Sequence, residues 1–247
     1  MPLEQSEAFI LRTFHVGEQD KIVVFFAKNK GIVKGIAKGA RKFGNRFGSG
    51  LEPLSHVTLH YYEKEHKDLV VLNNCDLIES NFDLQRDLDR AFILSYFSEL
   101  IEEFFPSREK DDILFRLLES TLKALNAGGD LDLLGAYFEV WILKINGFLP
   151  SFKKCRKCRK EIIDSAWLSS KKEGVYCTSC AIHKKEEIQQ EMNEFLQWVK
   201  KNPPPKDKDL PVERKKLKAI RKTLQGIIVY HMEREPKSLR FLNQNYS

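Results

Sequence analysis

The spacing of hydrophobic and polar residues changes character once along the chain. Up to residue 80, short runs rich in Val, Ile, Phe and Tyr occur at Ala8 to Phe14, Lys21 to Ala27, Gly31 to Ala37, Val57 to Tyr62 and Leu69 to Leu72. Turn residues punctuate them at Gly17, Asn29–Gly31, Gly44–Gly50 and Glu63–Asp68. Runs of this length and composition, set between such breaks, predict strands. About five strands in so short a stretch suit a small OB-fold barrel.

From Asp83 the period becomes helical. Leu84, Leu88, Phe92, Tyr96, Leu100 and Phe104 recur every four residues and predict a helix ended by Pro106. A second helix carries Ile113, Leu114, Leu117, Leu118, Leu122 and Leu125 and stops at Gly128-Gly129. A third, from Asp130 to Gly147, is apolar nearly all round and is expected at the buried centre of a bundle. Two more are predicted, Glu186 to Lys200 and Val212 to Met232, with Pro203-Pro204-Pro205 between them as a stiff spacer. The fold class is therefore α+β: an N-terminal OB-fold β-barrel (1–80), then an α-helical domain (81–247) carrying an inserted four-cysteine zinc finger at 153–182.

The finger is read from Cys155-Arg-Lys-Cys158 and Cys177-Thr-Ser-Cys180, two Cys-x-x-Cys pairs 18 residues apart. Two intervening residues let a turn aim both thiolates at one metal, across a tetrahedral edge of about 3.5–4 Å with Zn–S near ~2.3 Å. Ala166-Trp167-Leu168 and Gly174-Val175-Tyr176 form a hairpin that returns the second pair. A closed shell of four thiolates has no position for water, so the expected cofactor is a structural zinc ion. The remaining Cys75 lies in an apolar strand and reads as a small buried hydrophobe.

Charge is unevenly distributed. The net charge is +6, but residues 1–80 hold 11 basic and 10 acidic residues, 81–150 hold 7 and 13, and 151–247 hold 23 and 12. Lys21 to Leu51 contains 8 basic residues and no acidic one. Segregation of this kind points to a polyanionic partner. Lys34 and Lys38, four apart, are expected on one strand face, followed by Arg41, Lys42 and Arg46 on a glycine-rich loop. Phe43 and Phe47 lie among them, so cations that track phosphates and rings that stack bases fall together, as single-strand binding requires.

Other chemistry is weaker. His56 and His60 are four apart, but along a strand that separates them by about 13 Å, so they read as surface histidines and not a metal pair. Glu102, Glu103, Asp111 and Asp112 read as solvated helix faces. No nucleotide-binding loop, G-x-S-x-G or H-E-x-x-H occurs. No stretch approaches ~20 apolar residues and no secretory leader is visible, so a cytoplasmic protein is expected, nucleoid-associated if its polyanionic partner is DNA.

The order of parts resembles the RecO family of bacterial recombination mediators over essentially the full length. The resemblance is carried by Phe9-Ile-Leu-Arg-Thr, Gly17-Glu18-Gln-Asp20-Lys21, Gly31 to Arg41, Arg46-Phe47 and Leu51-Glu52-Pro53-Leu54, by the four-cysteine finger after a helical segment, and by Lys237-Ser-Leu-Arg-Phe-Leu. Asn45 departs from it, standing at a small serine-like position. The resemblance implies a protein that is not an enzyme. It implies binding of single- and double-stranded DNA, annealing of strands coated with single-strand-binding protein, and loading of RecA together with RecR. Lys34, Lys38, Arg41, Lys42 and Arg46 match the family's basic barrel segment. From the residues alone, two other readings stand: a zinc-ribbon transcription or translation factor, preferring duplex promoter DNA or ribosomal RNA, and a zinc-containing nucleic-acid-processing enzyme.

Overall fold

The computed structural model describes residues 2–63, 67–163, 165–188, 191–206 and 210–244, so residues 64–66 of the predicted Glu63–Asp68 turn lie outside the described residues. The first five strands, β1 (Leu3–Val16), β2 (Asp20–Ala27), β3 (Gly31–Ala37), β4 (His56–Tyr62) and β5 (Leu69–Glu79), close a barrel in the order β1-β2-β3-β5-β4. Closure comes from pairing the two ends of that order: β1 runs antiparallel to β4 as well as to β2, and a register shift between Ile10 and Arg12 gives it the necessary bend. β3 runs parallel to β5.

The period-2 pattern sorts the barrel's side chains. Ala8 and Ile10, Val23 and Phe25, Val57, Leu59 and Tyr61, and Val70 and Leu72 are buried in one cluster that also takes in Cys75. Burial, with Asp76 nearby, pushes the Cys75 thiol up to about 12, as befits an inert core residue. The alternate positions Phe9 and Phe26 pack on Phe115, with ring centroids 5.0 and 5.8 Å away. His56 corrects the sequence reading. It is buried and stacks on Phe9 at 4.5 Å, with Nε2 3.6 Å from Glu7, because it fills the apolar seam left by these rings. His60 instead pairs with Asp76 at 2.8 Å.

Beyond the barrel, the helix expected from Asp83 is divided. A 3-10 turn spans Asp83–Arg86, Asp87 is extended, and α1 (Leu88–Phe104) starts only there, with the Asp87 carboxylate accepting from the Arg90 N–H. An N-cap of this kind supplies an acceptor that a continuing helix could not. Glu102 is not a solvated face residue: it is partly covered by Arg12 at 2.7 Å, and burial raises its carboxyl despite that partner. Asp111 caps α2 (Asp112–Asn126), accepting from Ile113 and Leu114.

The chain divides into two compact units inside α2: residues 1–116 with 237–247, and residues 117–236. The first therefore includes the barrel, α1 and the last helix, α6 (Lys237–Gln244). In the second, α3 (Leu131–Ile145) is buried almost all round, as its sequence predicts, and packs against α4 (Glu191–Lys201) and α5 (Arg214–Met232). Its two carboxylates inside that core need a cation. Arg221 supplies one, 2.5 Å from Asp132 and 3.4 Å from Glu139, and Gln225 also donates to Glu139. Gly135 makes room for the guanidinium, since a Cβ there would stand 2.5 Å from its Nη2. The proline run is packed and not a free spacer: Pro204 is buried, and the Tyr137 hydroxyl donates to the Asn202 carbonyl just before it.

Candidate metal centre and nucleic-acid interface

A three-stranded sheet, ordered β7-β6-β8, holds the cysteines: β6 (Ala166–Leu168), β7 (Val175–Cys177) and β8 (Glu187–Ile188). The predicted hairpin forms, pairing Ala166 with Cys177 and Leu168 with Val175. Its third strand was expected to be the start of a helix. Glu187 and Ile188 satisfy the open edge of β6 instead and bury Ile188, and α4 begins at Glu191. Backbone hydrogen bonds fold each Cys pair into a tight knuckle. Cys155 N–H donates to Lys160 and Arg159 N–H to Cys155, while Cys180 and Ala181 N–H both donate to Cys177.

The outcome is convergent. The Sγ atoms of Cys155, Cys158, Cys177 and Cys180 lie within 4.8 Å of one another, and Cys158 and Cys177 are 3.8 Å apart. That spacing is the edge of a tetrahedron with metal–sulfur bonds of ~2.3 Å. All four are free thiols. Burial raises the Cys155 thiol, but N–H groups of Cys158, Cys177 and Lys157 outweigh it and bring it down to about 6, whereas hydrogen bonding with Cys177 pushes Cys180 up to about 12. Four thiolates this close repel one another unless a cation sits among them, so the donor set fits a metal ion.

The barrel cations occupy β3 and the turns after it. Lys34 lies within β3, and Lys38 one residue past its end, so they do not share a strand face as expected. Lys34, Lys38, Arg41, Lys42 and Arg46 are all exposed. Two are fixed in direction. The Arg41 guanidinium donates to the carbonyls of Glu18 and Gly17, and Arg46 to that of Leu72 at 3.4 Å. Asp20 accepts from the Gly39 N–H, which ties the turn to the start of β2. Asn45 has a definite task here, accepting from the Phe47 N–H and donating to the Lys42 carbonyl, so it shapes the loop.

The two phenylalanines separate completely. Phe43 is 107% exposed, whereas Phe47 is 2% exposed and belongs to the barrel core. The pair does not form a stacking platform; only Phe43 is available for one. A signal for this lies in the sequence: Phe47, Leu51 and Leu54 are spaced by four and three, and all three are buried.

Comparison with known proteins matches the chain at both ends of this architecture. The family model described as Recombination protein O N terminal matches residues 1–81, and Recombination protein O C terminal matches residues 85–240. The chain belongs to the RecO family. It is 32% identical over 242 residues to the DNA repair protein RecO of Koribacter versatilis, covering 98% of this chain and 99% of the relative. It is 28% identical to that of Pelotomaculum thermopropionicum, covering 99% and 95%, and 25% identical to that of Dehalococcoides mccartyi, covering 97% and 94%. Membership in the RecO family places the chain in DNA repair and recombination. Among the described residues no helix is long and apolar enough to cross a membrane.

Proposed function

We propose that this RecO-family chain is a non-enzymatic recombination mediator. It binds single- and double-stranded DNA through Lys34, Lys38, Arg41, Lys42 and Arg46, anneals complementary strands coated with single-strand-binding protein, and helps RecR load RecA. The observation that carries the reading is the turn after β3. Fully exposed Phe43 stands among exposed cations, in a stretch with no acidic residue, so a base can stack where phosphates are neutralised. Neutralisation releases counterions, so affinity falls steeply with salt, and holding two strands together speeds annealing without ATP. The basic C-terminal part attracts the acidic tail of single-strand-binding protein; Lys215, Lys218 and Lys222 fall on one exposed side of α5.

Zinc is the metal we assign to Cys155, Cys158, Cys177 and Cys180, in a structural role, since four thiolates in a closed tetrahedral shell suit it. The chain's part is to fold two knuckles over one sheet so that the ion ties residues 155 and 180 together.

The test is annealing of complementary oligonucleotides, bare and coated, in buffer without nucleotide. Faster duplex formation on coated strands, with products of unchanged length, is expected. Deleting the coat protein's acidic tail is expected to remove the advantage. Coated strands that anneal no faster with the protein than without it overturn the mediator reading.

A further inference from the structure

The cations of the four-cysteine module are more numerous than its own charges require. Residues 153–185 contain ten basic and three acidic residues. A Zn²⁺ ion with four thiolates carries a charge of −2, which two cations offset. Arg156 pairs with Glu173 at 2.6 Å, Lys172 with Glu186 at 2.6 Å, and Lys184 stands 5.0 Å over the Trp167 ring. Lys153, Lys154, Lys157, Arg159 and Lys160 remain exposed and make no ion pair among the described residues. Crowding five like charges into eight residues does nothing to stabilise the module, and a polyanion relieves the repulsion.

Beside these knuckles lies a groove of about 450 Å³ lined from the first knuckle, the sheet and the second knuckle, including Cys180 and the apolar Leu168 and Ile182. Arg156, Lys157, Ser169, Ser170, Tyr176 and His183 line it. Arg156 is held by Glu173, but the Lys157 ammonium, the serine hydroxyls and the Tyr176 phenol are donors of the kind that proteins turn to phosphate and sugar oxygens. Tyr176 adds a ring on which a base can rest. The cations also continue around the knuckle at Lys154, Arg159 and Lys160, so they suit an extended chain of phosphates better than one isolated phosphate.

We propose that the four-cysteine module is a second nucleic-acid backbone site, distinct from the barrel cations and lying in the other compact unit. The inference rests on the reading of the chain as a DNA binder and extends it. With a backbone site in each unit, one molecule can hold two strands. The metal then has a consequence beyond stability, because it fixes the knuckles that carry the cations.

The experiment measures anisotropy of a labelled single-stranded oligonucleotide against salt. It compares the full chain, the barrel variant (Lys38, Arg41, Lys42 and Arg46→Ala), the module variant (Lys154, Lys157 and Lys160→Glu), and both sets combined. The module variant is expected to keep its metal and to flatten the log affinity–log salt slope by about 2 units, at roughly 0.7 per lost phosphate contact on a single strand. The barrel variant is expected to retain residual binding that the combined variant lacks. A module variant with its metal and the slope of the full chain overturns this inference alone, whereas a full chain that binds no DNA overturns the parent reading with it. Photocrosslinking of the unaltered protein to bromodeoxyuridine DNA gives a check that needs no variant. Crosslinks within 153–185 support the site, and crosslinks confined to 34–47 overturn it. Displacement of the DNA from the barrel variant by polyglutamate, at lower charge concentration than by a second oligonucleotide, also overturns it, in favour of an acidic protein partner.

Discussion

Glu99 caps a helix that begins 138 residues later in the chain: one of its oxygens accepts both the N–H of Ser238, at 3.0 Å, and the Ser238 hydroxyl, at 2.7 Å. The other oxygen accepts from the Lys237 N–H. α6 has no acidic residue in its own first turn, so the carboxylate that complements its N-terminal dipole comes from α1. Stacking of Phe241 on Phe92, 5.3 Å apart, completes the contact.

Removing that cap is expected to loosen α6 while leaving the barrel intact. Glu99→Ala should cost about 0.5–2 kcal/mol, the usual range for a lost helix cap, and Glu99→Gln should cost less. Hydrogen exchange reads the effect: amides of 237–244 should lose protection and those of β1 to β5 should not. Unchanged exchange in α6 rules the cap out as a stabilising contact.

Phe43 and Phe47 should behave oppositely. Phe47→Ala empties a core position and is expected to cost roughly 3–5 kcal/mol of stability. Phe43→Ala should leave the melting temperature unchanged and weaken single-strand binding by about 1–3 kcal/mol if the ring stacks on a base. Equal affinity of Phe43→Ala and the parent for a single-stranded oligonucleotide removes Phe43 from the interface.

Metal and fold are expected to be lost together in the four-cysteine module. Elemental analysis of the purified chain should show about one zinc per molecule, and Cys177→Ser should lower that value sharply. Near-ultraviolet circular dichroism should then report a disordered environment for Trp167, while the barrel stays cooperative. A protein that contains no zinc yet keeps the module folded defeats the assignment.

The ion pairs across the barrel set a pH limit. Glu63 binds both Lys30 and Arg108, and the Lys30 hydrogen bond is the main cause that lowers its carboxyl below the ordinary range. A depressed folded-state value means that the ionised form is favoured by folding. The stabilisation is therefore present above the usual carboxylate range and is lost as pH falls through the lowered value. Stability measured by urea unfolding should decline as pH falls below the ordinary carboxylate range, more steeply in the parent than in Glu63→Gln. Parallel curves for the two proteins put the acid sensitivity elsewhere.

Elements whose signal is local were legible in the sequence. Alternating Val, Phe and Tyr runs specify strands because each side chain's face follows from its parity, and the two Cys-x-x-Cys pairs specify a metal site because a turn of that length can aim both thiols inward. The apolar circumference of α3 likewise demanded burial. What depended on partners distant in sequence was not legible. The spacing of Phe47 with Leu51 and Leu54 marks it as buried, but not what it is buried against: the loop closes over Cys75, where a Cβ on Gly50 would stand 2.5 Å from the thiol. Glu187 and Ile188 join a sheet because β6 offers an open edge, although their own spacing continues a helix. His56 is buried because Phe9 and Phe115 surround it, and Asp132 and Glu139 are tolerated in a core because Arg221 arrives from another helix. Periodicity reports which face a residue occupies; only the folded chain brings up the charge, ring or hydrogen-bond partner that decides whether that face can be buried.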